Sequence, residues 1–299
     1  MWVFLLSVVS TAAVAALVLQ PTVATQDERG VREFHVRDES TISRTLRFDG
    51  TGEHVLDVRA INGSIRVIGA DRPDVQFDVL RVVRAETDED LETAADQIVL
   101  DIADGAARIE AIVREQNQDV CGEPTTRRHG SWERPRYVVS HDFAIRVPRD
   151  TRLRLCTING REVLVDGTSG GFDVTNVNGR ITMPNMRGSG QAHTVNGPIV
   201  ASFAEPPHEA SVFKTTNGDV IVGFPMELAA NLKMKTFNGG LFTDFDVRAL
   251  PQPVAVAERR DGRFVYRSNQ FALVRAGNGG PELTFETFNG SVRVLRTAP

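Results

Sequence analysis

The sequence predicts an all-β protein: a parallel, β-helix-like solenoid of Asn-Gly repeats of about 20 residues behind an N-terminal β-rich cap. Three observations predict it. The chain of 299 residues writes Asn-Gly seven times in one flanking pattern, at Asn62-Gly63, Asn159-Gly160, Asn178-Gly179, Asn196-Gly197, Asn217-Gly218, Asn238-Gly239 and Asn289-Gly290. From Asn159 to Asn238 the intervals are 19, 18, 21 and 21 residues, a near-constant period. Each pair separates two short runs in which apolar residues alternate, the period of a strand with one buried face.

The columns around the pairs agree. Four residues before Asn stand Val58, Leu155, Val174, Ala192, Phe213, Met234 and Phe285; two before it stand Ala60, Thr157, Asn176, Thr194, Thr215, Thr236 and Thr287. Three after it stand Ile65, Glu162, Ile181, Ile199, Val220, Leu241 and Val292. Glu162 breaks that column, and Val163 with Val165 implies one extra residue at this corner. Breaker-rich segments such as Asp166–Gly171 and Pro184–Gly190 close each unit.

Asn-Gly also favours two-residue hairpin turns, so an antiparallel hairpin meander is the alternative architecture. The apolar residue directly before each Asn decides for the solenoid, because a solenoid corner can turn it inward together with the residue two before Asn. Reuse of Thr and Asn in columns also suits like-on-like stacking. On this reading Phe213, Phe237, Phe242 and Phe288 pack in the core.

The flanks follow in order. No charged side chain occurs in the first 26 residues, and an apolar run long enough to just span a bilayer opens the chain. Residues 1–25 therefore read as a signal peptide or an N-terminal anchor, and the remainder as exported to periplasm, cell surface or medium. Residues 31–148 form a β-rich portion with one repeat and a short helix, whose start is marked by Thr87 and Asp90. A long polar loop follows Gln116. Residues 149–296 hold the repeat array, with a hairpin interrupting it near 250–280 before the last unit closes it.

Two cysteines, Cys121 and Cys156, permit one disulfide or two free thiols. Cys156 occupies an outward column of the repeat and can reach Cys121 of the long loop.

The iterated Thr-x-Asn-Gly, the lead-in Ala144–Gly160 and the closing Gly279–Leu295 resemble a bacterial family of exported β-strand-repeat proteins. That family is labelled adhesin-like and of unknown function. The resemblance covers about Val31 to Leu295. It implies a β-helical fold behind a signal peptide or anchor, suggests adhesion, and brings no catalytic residues.

Formal net charge is −5, from 34 basic and 39 acidic residues, which argues against a nucleic-acid partner. The six histidines show no metal-ligand spacing. Ser140-His141-Asp142 has triad residue types, but neighbours on a strand point to opposite faces and do not converge. The Gly-rich Asp166–Val174 lacks the Lys-Ser/Thr of a phosphate loop. The position two after each Asn holds Ser64, Arg161, Arg180, Pro198, Asp219, Gly240 and Ser291, which is no carboxylate ladder. No catalytic, cofactor-binding or metal residue is expected; the Asn-Gly pairs read as structural corners. The expected function is a non-catalytic envelope scaffold or adhesion module for an envelope protein or glycan. It would touch the membrane only through an uncleaved N-terminal segment. A polysaccharide-active β-helix enzyme and a membrane-anchored envelope-stress accessory are the alternatives.

Overall fold

The computed structural model describes residues 34–115, 118–119, 121, 136–251, 256–260, 263–267 and 271–297. The segment expected to be a signal peptide or anchor, and most of the long loop after Gln116, lie outside these residues. Residues 34–299 fall in one compact unit.

The described chain is all-β apart from one short helix, and its strands form two large sheets and a separate hairpin. The runs before and after each Asn-Gly lie in different sheets. Strands that precede the pairs, among them Arg152–Asn159, Phe172–Asn178 and Gly190–Asn196, build one sheet; Glu162–Asp166, Arg180–Met186 and Ile199–Phe203, which follow the pairs, build the other. Equivalent strands of adjacent units pair in parallel, Val174 opposite Leu155 and Ala192, and Ile181 opposite Val163 and Ile199. The antiparallel meander is therefore excluded within the repeats: Asn-Gly turns the chain from one sheet to the other and joins no hydrogen-bonded pair.

Val163 also pairs with Ile65, although it stands four residues after its Asn and Ile65 three. One extra residue at the Asn159 corner absorbs the mismatch and places Glu162 outside the buried row.

Alternation puts one apolar row per sheet between the layers. Leu155, Val174, Phe213 and Phe285 face Val163, Ile181, Val220 and Val292, all buried. Ring contacts continue along this core, Phe213 on Phe285 at 5.5 Å and Phe203 on Phe224 at 5.0 Å. A single unit would leave both sides of its apolar pair open to water, so the stack supplies the burial that makes each strand stable.

The order of units in space departs from their order in the chain. The expectation that the last unit closes the array needs correction. Glu282–Asn289 lies between Ser211–Lys214 and Ala230–Asn238, and Val292–Arg296 lies between Val220–Phe224 and Leu241–Thr243. The C-terminal unit is thus a wedge between the Asn217 and Asn238 units. Similar side chains in every column make this possible, because Phe285 fits beside Phe213 and Met234 alike.

At the Asn62 end, Tyr137–Pro148 pairs in parallel with Ile65–Ala70 and antiparallel with Asp74–Ala85, which in turn pairs with the edge strand Val36–Arg47. The helix Asp88–Gln97 packs nearby; Thr87 caps it by accepting the Asp90 N–H at 3.2 Å. At the other end Ala272–Ala276 runs antiparallel to Ala230–Met234, with Val247–Ala249 beyond it. The hairpin expected near 250–280 is represented by Val256–Arg260 paired with Arg263–Arg267.

Candidate functional site: the asparagine–glycine ridge

The seven Asn-Gly corners form a single row. Each Asn amide donates to the side-chain oxygen of the next Asn: Asn159 to Asn62 at 2.9 Å, Asn178 to Asn159, Asn196 to Asn178, Asn217 to Asn196 and Asn289 to Asn217 at 2.8 Å, and Asn238 to Asn289 at 2.7 Å. Every amide points the same way. Asn62 ends the series by donating to the Val139 carbonyl at 3.0 Å.

A second, buried series runs beneath it. In every unit but that of Asn62, where Ala60 has no donor, the side chain two residues before Asn donates to the glycine carbonyl of the neighbouring unit. Thr194 reaches Gly179 O at 2.9 Å, Thr215 reaches Gly197 O and Thr287 reaches Gly218 O at 2.8 Å, and Thr236 reaches Gly290 O at 2.7 Å. Asn176 replaces Thr and reaches Gly160 O at 2.9 Å. These bonds satisfy carbonyls that the turn removes from the sheet ladder, and each contributes about 1 kcal/mol. Glycine is required by packing: a Cβ at Gly179 would stand inside the contact distance of Gly160 O, and its φ of 151° is unfavourable for other residues.

The residue directly before Asn is placed differently from the sequence reading. Ile61, Ile158, Val177, Val195 and Thr216 are half-buried on the outside of the ridge. Phe237 and Phe288 are 65% and 48% exposed and lie ring on ring at 4.7 Å with 5° between planes. Phe242, also expected in the core, is 52% exposed beneath the Arg293 guanidinium. Of the four phenylalanines assigned to packing, only Phe213 is buried. Strand alternation accounts for this: with the second and fourth residues before Asn inward, the first faces out. That phase was the available signal for an external apolar stripe.

Ion pairs surround the stripe. Asp219 accepts the Ser291 N–H and pairs with Arg293 at 2.7 Å, and these contacts hold its carboxyl below the usual range. Lys214 and Lys235 flank Glu286, and Lys233 pairs with Glu282. On the Asn62 and Asn159 units, Asp57 is buried between Arg59 and Arg108. Cys121 is bonded to Cys156 on the adjacent outward column, with Cα atoms 6.1 Å apart. A polar groove of about 550 Å³ follows the opposite corner, lined by Glu53, Arg152, Asp173, Arg187, His208 and Glu209.

Ser140, His141 and Asp142 do not come together as nucleophile, base and orienter. His141 is buried against the first repeat, its Nε2 has no hydrogen-bond partner, and burial with nearby Arg81 lowers its pKa to about 4. The Asp142 carboxylate instead accepts the backbone N–H and hydroxyl of Ser64. Among the described residues, no three His, Cys, Asp or Glu side chains gather as metal ligands do, and no helix is long and apolar enough to cross a membrane.

No protein-family model and no curated protein matches the chain. Solved structures similar to it include a candidate cell adhesion protein of Clostridium sporogenes, at 7% identity and a TM-score of 0.44, covering 87% of this chain and 100% of that one. A candidate adhesin of Bacteroides fragilis is similar at 7% identity and a TM-score of 0.32, over 86% and 97% of the two chains. A candidate lipid binding protein of Parabacteroides distasonis is similar at 9% identity and a TM-score of 0.21, over 86% and 97%.

Proposed function

We propose that this chain is a non-catalytic, exported parallel β-solenoid that serves at the cell envelope as a scaffold or adhesion module for a protein or glycan. One observation carries the reading. The interlocked Asn and Thr series hold a long, stiff ridge whose outward column, apolar except at Thr216, ends in the exposed pair Phe237 and Phe288. Exposed aromatics on a rigid sheet edge are costly to leave in water and are characteristic of binding surfaces. A rigid array presents them without an ordering cost on association. The apolar leader, read as a signal or anchor, would bring that ridge to the envelope.

The test is recovery of the tagged chain from chemically cross-linked envelopes of cells that express it. Envelope protein or glycan should co-purify above a control in which Phe237, Phe242 and Phe288 are replaced by Ser. Recovery of nothing above that control contradicts the binding reading, and release of fragments from an envelope polysaccharide by the purified protein contradicts the non-catalytic one.

A further inference from the structure

Three series run along the ridge, and all of them stop at the Asn238 unit. At the Asn62, Asn178, Asn196, Asn217 and Asn289 corners the Asn Oδ1 accepts an Asn amide from the following rung, the Gly carbonyl accepts a Thr hydroxyl from it, and the Gly N–H donates to its Asn carbonyl, as Gly290 N–H does to Asn238 O at 2.9 Å. The bulged Asn159 corner keeps the first and takes the Asn176 amide in place of the Thr hydroxyl. At the last corner Asn238 Oδ1, Gly239 C=O and Gly239 N–H have no such partner among the described residues. Phe237 stacks on Phe288 with one face and leaves the other open. Leu241–Thr243 is the terminal strand of its sheet.

The two ends of the stack differ in this respect. At the Asn62 end the chain closes its own ladder: Val139 O takes the Asn62 amide, and Phe143 N–H donates to Ser64 O at 2.9 Å. At the Asn238 end the covering strand Ala272–Ala276 pairs only as far as Met234. Phe271, just before that strand, lies under the Lys235 ammonium at 5.1 Å, so the open seat runs from Thr236 to Thr243, with the Asn238 and Gly239 groups unmet. Lys235 lies by Glu286, and Arg293 by Asp219, so the charges beside the seat have partners of opposite sign.

We propose that this seat docks an extended strand of another polypeptide that turns through a Thr-aromatic-Asn-Gly corner, adding one further rung. The protein itself displays the fit. Thr287, Phe288 and Asn289 meet the Asn217 unit with the same hydroxyl, amide and backbone bonds that the seat lacks. An added strand about 4.8 Å away would pair with the Leu241–Thr243 edge while its aromatic residue covers Phe237. A sugar ring could stack on Phe237 but could not continue the strand pairing. This inference builds on the binding-module reading and specifies its partner.

The experiment uses the full chain and a labelled synthetic peptide with the sequence of residues 287–296, which is short enough to clear the covering strand, carrying a photoreactive benzoylphenylalanine in place of its Phe. Saturable binding is expected, absent for a scrambled peptide, weakened about tenfold or more by Phe237→Ala and retained in Phe237→Trp. Both variants must keep the wild-type melting temperature. Photoproducts should map to residues 237–243. Absence of saturable binding overturns the proposal. So do photoproducts at Thr216–Asp219, which would mean exchange with the chain's own wedge, or equal displacement by a neutral oligosaccharide. Failure here leaves the envelope-recovery result standing, because a glycan or another surface could still produce it.

Discussion

The Asn289 amide donates to Asn217 Oδ1 at 2.8 Å across 72 residues of sequence, while Asn238, only 21 residues from Asn217, sits one rung further away. Column chemistry, and not sequence distance, therefore selects neighbours in this stack. The same bond ties the Asn289 unit into the interior of the stack.

The exposed amide ladder contributes modestly per rung and depends on donor direction. Asn178 donates to Asn159 and accepts from Asn196. Asn178→Ala should cost about 1 kcal/mol in urea unfolding. Asn178→Asp should cost more, because a carboxylate replaces the donor and faces the Asn159 oxygen. Equal stability of the two variants would contradict the amide ladder.

The buried series should be more sensitive. Thr215→Val keeps the shape but leaves Gly197 O without its partner, a loss of about 1–3 kcal/mol. Thr215→Ser retains the hydroxyl and should recover most of that loss. Denaturant midpoints of the two variants check this.

Glycine at the corners is demanded by close approach. Gly179→Ala drives a Cβ into Gly160 O and should cost about 3 kcal/mol or more, or prevent folding. Gly52 has φ of 118° but nothing within 4 Å of a Cβ, so Gly52→Ala should cost only about 1 kcal/mol. Thermal melts of the pair separate collision from backbone preference.

Acid should loosen the cap end of the stack. His141 is held neutral, with a folded pKa of about 4 against an ordinary 6.5, by burial and Arg81, partly opposed by Asp142. Between these values the unfolded chain binds the proton and the folded one does not, so stability falls as pH drops from 6.5 to 4 and levels off below. The contribution is roughly 3 kcal/mol. His141→Leu should flatten that part of the stability profile, measured by unfolding at pH 7, 5.5 and 4.

Much of this structure can be read from the sequence because the period, the inward columns and the Thr and Asn positions are all local patterns. The extra residue at the Asn159 corner was legible in the displaced Val163 and Val165. The wedge was not, since interchangeable columns make the Asn289 unit an equally good neighbour for several others. Phe237, Phe242 and Phe288 were placed in the core because aromatic residues usually are, although the phase of their strands pointed outward. The lone buried His141 and the Asp57–Arg59–Arg108 cluster depend on strands brought together by the cap, which no local pattern encodes.

The rung order is tested most directly by cysteine pairs on the outward column five residues before each Asn. Thr284 pairs in register with both Val212 and Lys233. In the purified full chain, mild oxidation should join Val212→Cys to Thr284→Cys, and Thr284→Cys to Lys233→Cys, as intramolecular bonds identified by peptide mass. The combination Val212→Cys with Lys233→Cys should remain reduced. Efficient bonding of that last pair, with none between Val212→Cys and Thr284→Cys, would show the units stacked in chain order and contradict the inserted C-terminal rung.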